Sequence, residues 1–407
     1  MNWTYIRYGF FMGILGYYAA CAPVKFSKEP PQSNCGSYGL SAEQCVTASE
    51  NTDKITDSFT VNGGLVDILF ISDNSGSMGR QQIEMANRFS SFTESIKNLD
   101  YRIAITTQDI SSSPNNEARA INGNGALQDG KLIPFPNGGP FLTKATPNVD
   151  NEFAQTIKRN ETIQCENWLS GSDATSLRNS GRINSSDYQV PFKANCTSGD
   201  DRPIYATNLV VQENPSGFIR PTAHLAVVLL TDEDNRSFGC DVNTGAGQEQ
   251  CASGRSQYTL QSADLNETLI NNVSTRFPQK TFSVHAIIVR PGDMGCLDAQ
   301  NQELSGVLKS REGHTYAQLV SQTSGVLGDI CSNNYTHELG QIGSNIVDRI
   351  QDRNLFCANP GDLDINFEPA TKAVSWVIEN KTVKFANPLD PGVKVTLSYT
   401  CPKFQKQ

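Results

Sequence analysis

The sequence lacks the short motifs that mark most catalytic sites and zinc sites. It has no G-x-S-x-G, no H-E-x-x-H and no phosphate-binding G-x-x-x-x-G-K-S/T. It has no C-x-x-C pair, and its four histidines are scattered along the chain. These absences exclude a zinc site of the usual ligand spacing. Because no pair of nucleophile and base is visible either, we predict that the protein is not an enzyme.

The sequence also has fewer basic than acidic residues. Lys and Arg together number 33 against 42 Asp and Glu, which makes the formal net charge −9. This balance excludes nucleic acid as a partner and excludes a purely electrostatic hold on anionic lipid. An acidic partner would have to be bound locally, through a metal ion.

The first 20 residues contain an apolar run, Tyr8–Tyr18, that is too short to cross a bilayer as a permanent helix. With Arg7 before it and small residues after it, the segment has the pattern of a signal peptide. Tyr18–Cys21 resembles the lipobox of bacterial lipoproteins, which implies lipidation of Cys21 and anchoring in the membrane. By resemblance to the sorting rule of enterobacterial lipoproteins, Ala22 rather than Asp after the cysteine implies the outer membrane. The alternative is an ordinary signal peptide with a chance cysteine.

The chain has 11 cysteines, and ten remain when Cys21 is set aside. An even number in an exported chain predicts disulfides, although the sequence alone leaves their connectivity open. Sequential pairing would join Cys35 with Cys45, Cys165 with Cys196, Cys240 with Cys251, Cys296 with Cys331 and Cys357 with Cys401.

Four apolar runs at wide spacing predict buried parallel strands: residues 66–71, 101–106, 224–230 and 282–289. Between the first two, apolar residues from Ile83 to Leu99 recur at helical spacing and Asp100 ends the run. Further helices are predicted at 151–158, 204–213, 316–321 and 335–350. Strands alternating with helices predict a doubly wound α/β fold with a mostly parallel, Rossmann-like sheet.

The predicted organisation has four parts. Residues 1–20 are the signal peptide, 21–57 a tether with a small disulfide loop, 58–351 the α/β domain and 352–407 a small β appendage. A long insertion, at about 110–222, separates the second and third strands; within it, Asp129-Gly130 predicts a hairpin over Ala126–Ile133. Alternating runs at 373–378, 382–385 and 393–399 predict the strands of the appendage, which Ser58–Val61 would complete.

The first strand runs directly into a short polar loop. Asp73, Ser75 and Ser77 alternate there at two-residue spacing, and Gly76 lets the backbone turn tightly enough to aim their oxygens at one point. Hard oxygen donors suit Mg²⁺, with Ca²⁺ and Mn²⁺ as alternatives. Because two of the donors are neutral hydroxyls, such an ion keeps positive charge that attracts an acidic side chain from a partner.

An exported strand–helix–strand unit whose first strand ends in D-x-S-x-S resembles a von Willebrand factor type A domain, over residues 65–351. The resemblance implies a metal-ion-dependent adhesion site (MIDAS) made of three loops, the first corresponding to Asp73, Ser75 and Ser77. In that family the serine hydroxyls bind the ion directly and the aspartate often acts through water. The third loop brings an aspartate that corresponds to Asp232. Residues 217–234 and 313–331 further resemble bacterial lipoproteins of this family.

The second loop of the family supplies a threonine, whose place in this chain is obscured by the insertion. We assign it to Thr162, with Thr175 as the alternative. Thr107 and Asp109 follow the second strand at the same rim and are expected to support the ligands from behind.

These observations predict an envelope lipoprotein that binds a protein ligand through a divalent cation, with an acidic side chain of the ligand completing the coordination. The alternative is an envelope assembly or scaffold protein that uses the same fold without metal-dependent binding.

Overall fold

The computed structural model describes residues 52–60, 64–110, 128–197, 201–235, 239–240, 258–278, 280–302, 310–350, 352–357, 360–369, 374–379, 381–386, 389 and 393–402. The chain divides into two units, Asp53–Cys401 and the two ends Met1–Thr52 with Pro402–Gln407. The account below concerns the first unit. The signal peptide, Cys21, the Cys35–Cys45 pair and Cys251 lie outside the described residues.

The strands are β1 (Thr52–Thr60), β2 (Leu65–Ser72), β3 (Asp100–Thr107), β4 (Leu142–Thr143), β5 (His224–Leu230), β6 (Gly239–Cys240), β7 (Tyr258–Thr259), β8 (Phe282–Ile288), β9 (Leu327–Asp329), β10 (Arg353–Asn354), β11 (Gly361–Glu368), β12 (Trp376–Glu379), β13 (Thr382–Phe385) and β14 (Lys394–Pro402). The helices are α1 (Gly79–Ile96), α2 (Val149–Ile157), α3 (Asn160–Ser170), α4 (Ser172–Asn179), α5 (Ser186–Asn195), α6 (Pro203–Glu213), α7 (Asn266–Arg276), α8 (Met294–Gln302), α9 (His314–Gln322) and α10 (Thr336–Arg349).

Six of these strands form the central sheet, in the order β4-β3-β2-β5-β8-β9. All neighbouring pairs run parallel except β3 with the short edge strand β4. In β2, Ile68 and Phe70 face one core and Leu69 and Ile71 face the other. A strand buried on both faces needs a continuous apolar run, which is why the four runs predicted these strands correctly.

Helices cover both faces of the central sheet. Phe89 of α1, Phe153 of α2 and Leu339 of α10 belong to one core, where the rings of Phe89 and Phe153 stack with centroids 3.5 Å apart. Helices α6, α7 and α9 supply the other core. The prediction of a doubly wound α/β fold is confirmed, and the predicted helices lie within two residues of the observed bounds, except α1, which begins earlier and ends at Ile96. Ile83, counted with the apolar face of α1, is exposed.

The insertion differs from the prediction in two ways. The turn at Asp129-Gly130 exists, but residues 131–133 form no strand, and the amide of Ile133 donates to the carbonyl of Ile105 on β3. Ala126 and Leu127, where the predicted hairpin begins, lie outside the described residues. The segment between Cys165 and Cys196 is helical rather than an open loop and consists of most of α3, with α4 and α5. We call residues 160–196 the disulfide cap.

The C-terminal strands form two three-stranded sheets, β1-β14-β11 and β10-β13-β12. The strand predicted from Ser58 is β1, which begins at Thr52 and so includes residues assigned to the tether. It joins the C-terminal sheet by pairing with β14. The predicted runs 373–378 and 382–385 correspond to β12 and β13, which pair antiparallel with Glu379 opposite Thr382.

Three of the predicted disulfides are present: Cys165–Cys196, Cys296–Cys331 and Cys357–Cys401. Each joins consecutive cysteines of the predicted order, so sequential pairing is confirmed for these three. Within the described ranges, none of the helices is both long enough and apolar enough to cross a membrane.

Candidate metal site

The first loop of the site is held rigidly at the end of β2. The carboxylate of Asp73 accepts hydrogen bonds from the backbone amide of Ser75 at 2.7 Å and from the Thr231 hydroxyl at 3.0 Å. The amide of Asp73 donates to the carbonyl of Leu230, at the end of the adjacent strand β5. These bonds join the polar ends of two neighbouring parallel strands, which is where open α/β sheets bind ligands.

The two serines of this loop meet the aspartate that follows β5. The hydroxyls of Ser75 and Ser77 lie 2.9 Å apart, and that of Ser77 donates to the Asp232 carboxylate at 3.2 Å. The other carboxylate oxygen of Asp232 accepts from the Ser310 hydroxyl at 2.8 Å. Ser310 is a neighbour that no sequence motif indicated. The structure thus brings four predicted residues, Asp73, Ser75, Ser77 and Asp232, into one oxygen-lined group.

Thr162 lies beside this group and contacts it through Gln82. The Gln82 side-chain amide donates to the Thr162 hydroxyl at 3.0 Å and to the carbonyl of Asp73 at 2.9 Å. Among the described residues, no hydrogen bond joins Thr162 directly to the serines or to Asp232. The alternative, Thr175, lies in α4 and accepts a hydrogen bond from Arg178 at 3.0 Å.

The disulfide cap packs directly against the loop. A Cβ atom added to Gly76 would lie 2.7 Å from the sulfur of Cys165, so the loop and the disulfide are in close contact. The Thr197 hydroxyl, one residue beyond the cap, donates to the carbonyl of Asn74 at 3.1 Å. Asp73 and Asp232 are each only 1% exposed, whereas Ser75 is half-buried. The site therefore opens to solvent on the side of Ser75.

Of the two rim residues predicted to support the site, Asp109 contacts the loop through Asn74. The Asn74 amide donates to the carboxylates of Asp109 and Glu161. Burial, together with the charge of Glu161, raises the pKa of Asp109 well above its usual value. Thr107 is fully buried at the end of β3, and its hydroxyl has no partner among the described residues.

Negative charge is concentrated at this edge of the sheet. Burial raises the pKa of Asp232 well above its usual value, and the charges of Asp73 and Glu233 raise it further. Burial also raises the pKa of Asp73, against the hydrogen bonds from Ser75 and Thr231. Both carboxyl groups would be ionised more easily beside a cation, since an opposite charge favours the charged form.

The donor set fits a hard divalent cation. Hydroxyl and carboxylate oxygens are the ligands that Mg²⁺, Ca²⁺ and Mn²⁺ prefer. A second group whose ligand atoms lie close together consists of Cys296, Asp329 and Cys331. This group is poorly suited to bind a metal ion, because its two sulfurs form a disulfide and are not thiolates. Ser75, Ser77 and Asp232 are therefore the residues that would hold an ion, with Asp73 behind them.

No family model matches this sequence, and no curated protein matches it. Several solved structures are similar in part, among them the following three. A von Willebrand factor type A structure from Catenulispora acidiphila is 12% identical with a TM-score of 0.34, over 86% of this chain and 65% of that chain. Manganese-loaded TRAP from Plasmodium vivax is 12% identical with a TM-score of 0.30, over 86% and 98%. The pilus adhesin SpaC from Lactobacillus rhamnosus GG is 9% identical with a TM-score of 0.34, over 86% and 41%.

This chain spans less than two thirds of the SpaC and Catenulispora chains. All three TM-scores are low, so the assignment of the fold and of the site depends on the geometry described above and not on these similarities.

Proposed function

We propose that this protein binds a protein ligand through a divalent cation held by Ser75, Ser77 and Asp232. The observation that carries the proposal is the meeting of the D-x-S-x-S loop with Asp232 at the carboxyl ends of β2 and β5, where Ser77 donates to Asp232 at 3.2 Å. Mg²⁺ is the ion we propose, with Ca²⁺ or Mn²⁺ as alternatives. The bound ion would supply a positive centre for an anionic ligand group.

The ligand group we propose is a carboxylate of the partner protein. Ser75 is half-buried while Asp73 and Asp232 are almost fully buried, so an incoming side chain would approach from the Ser75 side. Two of the three direct ligands are neutral hydroxyls, which leaves the ion with charge that an acidic side chain can offset. In this proposal Asp73 positions Ser75 and the ion's water, and Thr162 acts through Gln82.

We further propose that the protein is anchored in a bacterial envelope by a lipid on Cys21, with the outer membrane as the membrane. The sequence of residues 1–22 supports this proposal. The three disulfides also support it, because such bonds persist in oxidising compartments outside the cytosol.

The first test is isothermal titration of Mg²⁺, Mn²⁺ and Ca²⁺ into the purified full-length protein and into Asp73→Ala. We expect saturable binding in the wild type and at least a tenfold loss of affinity in the variant. Asp173→Ala removes an exposed carboxylate of the cap and is the matched control, which should bind normally. Circular dichroism verifies that each variant is folded. Equal affinity of Asp73→Ala and wild type would contradict the proposal.

A second candidate function is an envelope scaffold that needs no metal. The observation that favours it is β12, whose exposed Trp376, Val377 and Ile378 form an apolar strand at the edge of its sheet. Exposed apolar edges are suited to contact with another protein. Envelope partners captured equally with and without chelator, and lost on Val377→Lys, would support this function over the first. Neither function includes catalysis, and turnover in a panel of hydrolase substrates would support an enzyme instead.

A further inference from the structure

The helix α8 contacts the surroundings of the proposed metal site but buries little apolar surface of its own. Its buried residues are Cys296 and Gln300, and Leu297 is only partly buried against the core. Met294, at the start of the helix, is 56% exposed. Because helices in proteins are held mainly by packing of an apolar face, α8 needs other bonds to fix its position.

A disulfide supplies the strongest of these bonds. Cys296 is joined to Cys331, so α8 is tied covalently to the chain that follows the edge strand β9. The side-chain amide of Gln300 donates to the sulfur of Cys331 at 3.7 Å, one turn further along the helix. The carboxylate of Asp293 accepts a hydrogen bond from the amide of Cys296 at 3.0 Å. The position of α8 therefore depends on the disulfide and on polar contacts.

One hydrogen-bond route leads from α8 to the aspartate of the metal site. The side-chain oxygen of Asn301 accepts from the backbone amide of Ser310 at 2.9 Å. The hydroxyl of Ser310 donates to the Asp232 carboxylate at 2.8 Å, and the amide of Arg311 donates to the carbonyl of Asp232 at 2.9 Å. Because Asn301 holds the backbone of Ser310, it fixes the place from which the Ser310 hydroxyl reaches Asp232.

A second route leads from α8 to the start of α1. The side-chain amide of Gln81 donates to the side-chain oxygen of Gln300 at 2.7 Å, and both residues are buried. Gln81 lies next to Gln82, whose amide donates to the carbonyl of Asp73 at 2.9 Å. Adjacent residues of one helix thus connect to both loops of the site, the loop after β2 and the loop after β5.

We propose that α8 positions the two loops of the metal site through Asn301 and Gln300, and that the Cys296–Cys331 disulfide maintains the metal affinity by holding α8. This inference rests on the proposed function, because it concerns the same ion. Groups that hydrogen-bond to metal ligands fix the orientation of those ligands, and their loss lowers metal affinity by about 10–100-fold. Ser310 supports a ligand in this way, and α8 acts one step further from the ion.

The competing explanation is that the disulfide and α8 stabilise the fold without affecting the site. In that case, removing the disulfide lowers the free energy of unfolding, but the molecules that remain folded bind the ion with unchanged affinity. Separate measurements of stability and of metal affinity therefore distinguish the two explanations.

The test is isothermal titration of Mg²⁺ into the full-length protein and its variants, each examined by circular dichroism and by urea denaturation in chelator. We expect Asn301→Ala to lower the affinity by about fivefold, which corresponds to the loss of one hydrogen bond. Cys296→Ser/Cys331→Ser should lower it by at least about as much, since both routes from α8 are then loosened. Cys357→Ser/Cys401→Ser removes the disulfide of the C-terminal strands and is the matched control, which should bind Mg²⁺ normally.

A conservative substitution separates positioning from packing. Asn301→Asp keeps an oxygen that accepts from the Ser310 amide, so it should bind Mg²⁺ at least as tightly as the wild type. The new carboxylate also attracts cations, and Asn301→Ala/Gln302→Glu controls for this by adding the same charge on the adjacent, exposed residue without the acceptor. This double variant should bind as weakly as Asn301→Ala. Equal recovery in Asn301→Asp and in the double variant would overturn the role of Asn301.

Wild-type affinity in both Asn301→Ala and Cys296→Ser/Cys331→Ser, with binding lost in Asp73→Ala, would overturn this inference and leave the proposed function standing. The absence of saturable binding to the wild type would overturn both. If the disulfide variant does not fold, Asn301→Ala and Asn301→Asp decide, because neither removes a covalent bond.

Discussion

At the scale of single residues, the loop that carries Ser75 and Ser77 tolerates almost no added volume. Gly76 lies against the disulfide cap, and an added Cβ would be 2.7 Å from the sulfur of Cys165 and 3.0 Å from a methyl of Leu169. A disulfide sulfur cannot swing away as the end of a flexible side chain does. The glycine is therefore required by the close approach of the cap. The turn itself does not require it, contrary to the prediction from the sequence, because Gly76 does not have a positive φ.

We predict that Gly76→Ala lowers the free energy of unfolding by about 1–3 kcal/mol, the usual cost of overpacking, and weakens metal binding by moving the serines. Urea denaturation and titration of Mg²⁺ measure the two effects. Gly340→Ala is the control, since nothing lies within 4 Å of its added Cβ and it sits inside α10. That substitution should be neutral or stabilise by up to about 1 kcal/mol. Similar effects of both substitutions would contradict the contact with the cap.

At the scale of elements, the disulfide cap has little apolar material to hold it together. Its buried cluster consists of Cys165, Leu169 and Cys196, with Trp168 and Phe192 partly buried around them. By contrast, the two cores on the faces of the central sheet each contain more than twenty buried residues. The cap therefore depends on its disulfide to a degree that the sheet does not.

We predict that Cys165→Ser/Cys196→Ser destabilises the cap by about 3 kcal/mol, because the disulfide closes a loop of about 30 residues. Hydrogen exchange should accelerate across residues 160–196 and in the loop 73–78, while β2, β5 and β8 keep their protection. The control, Cys357→Ser/Cys401→Ser, should accelerate exchange in β11 and β14 only. Unchanged exchange in the cap would show that its packing alone suffices.

At the scale of the whole molecule, buried groups along the central sheet have pKa values that burial shifts in opposite directions, upward for carboxyl groups and downward for histidines. The carboxyl end holds buried carboxyl groups of raised pKa, including Asp234, whose pKa burial raises to about 6. Away from that end, burial lowers the pKa of His224 at the start of β5 and lowers that of His285 in the middle of β8 to about 3. His224 pairs in register with Val66, at the start of β2 and far along the strands from Asp73.

The sign of each pH dependence follows from proton binding. Carboxyl groups of raised pKa bind more protons in the folded state, so their contribution to stability falls as pH rises from about 4 to about 6 and beyond. The histidines bind more protons in the unfolded state, so their contribution rises with pH between about 3 and 6.5. A cation acts on the carboxylates alone.

We therefore predict that stabilisation by saturating Mg²⁺ increases from about pH 5 to about pH 7.5, since the ion binds deprotonated carboxylates. At a hundredfold excess over Kd, the gain approaches about 2.7 kcal/mol. Urea denaturation in chelator and in Mg²⁺ at each pH measures the difference, which cancels the histidine contribution. Asp73→Asn should show a smaller gain at every pH. A gain that does not change with pH would contradict binding by these carboxyl groups.

The central fold was predictable from the sequence because its signals are local. A strand buried on both faces must be apolar throughout, and the runs that became β2, β3, β5 and β8 stand out for that reason. The turn at Asp129-Gly130 shows the limit of such signals. Turn residues predict a reversal of the chain, but they do not determine which residues pair after it, and the amide of Ile133 donates to the carbonyl of Ile105 on β3.

Within the site, the sequence by itself determined the oxygen-rich loop after β2 and the aspartate after β5, because residues at the ends of adjacent parallel strands must meet. Only the tertiary structure decided what surrounds them. The hydrogen bond from Ser310 to Asp232 joins residues 78 positions apart. The disulfide cap, which is also distant in sequence, packs against Gly76. The Gln108 amide likewise donates to the carboxylate of Asp201, which lies 93 positions further along the chain. Such contacts depend on the path of the whole backbone, which no spacing between neighbouring residues encodes.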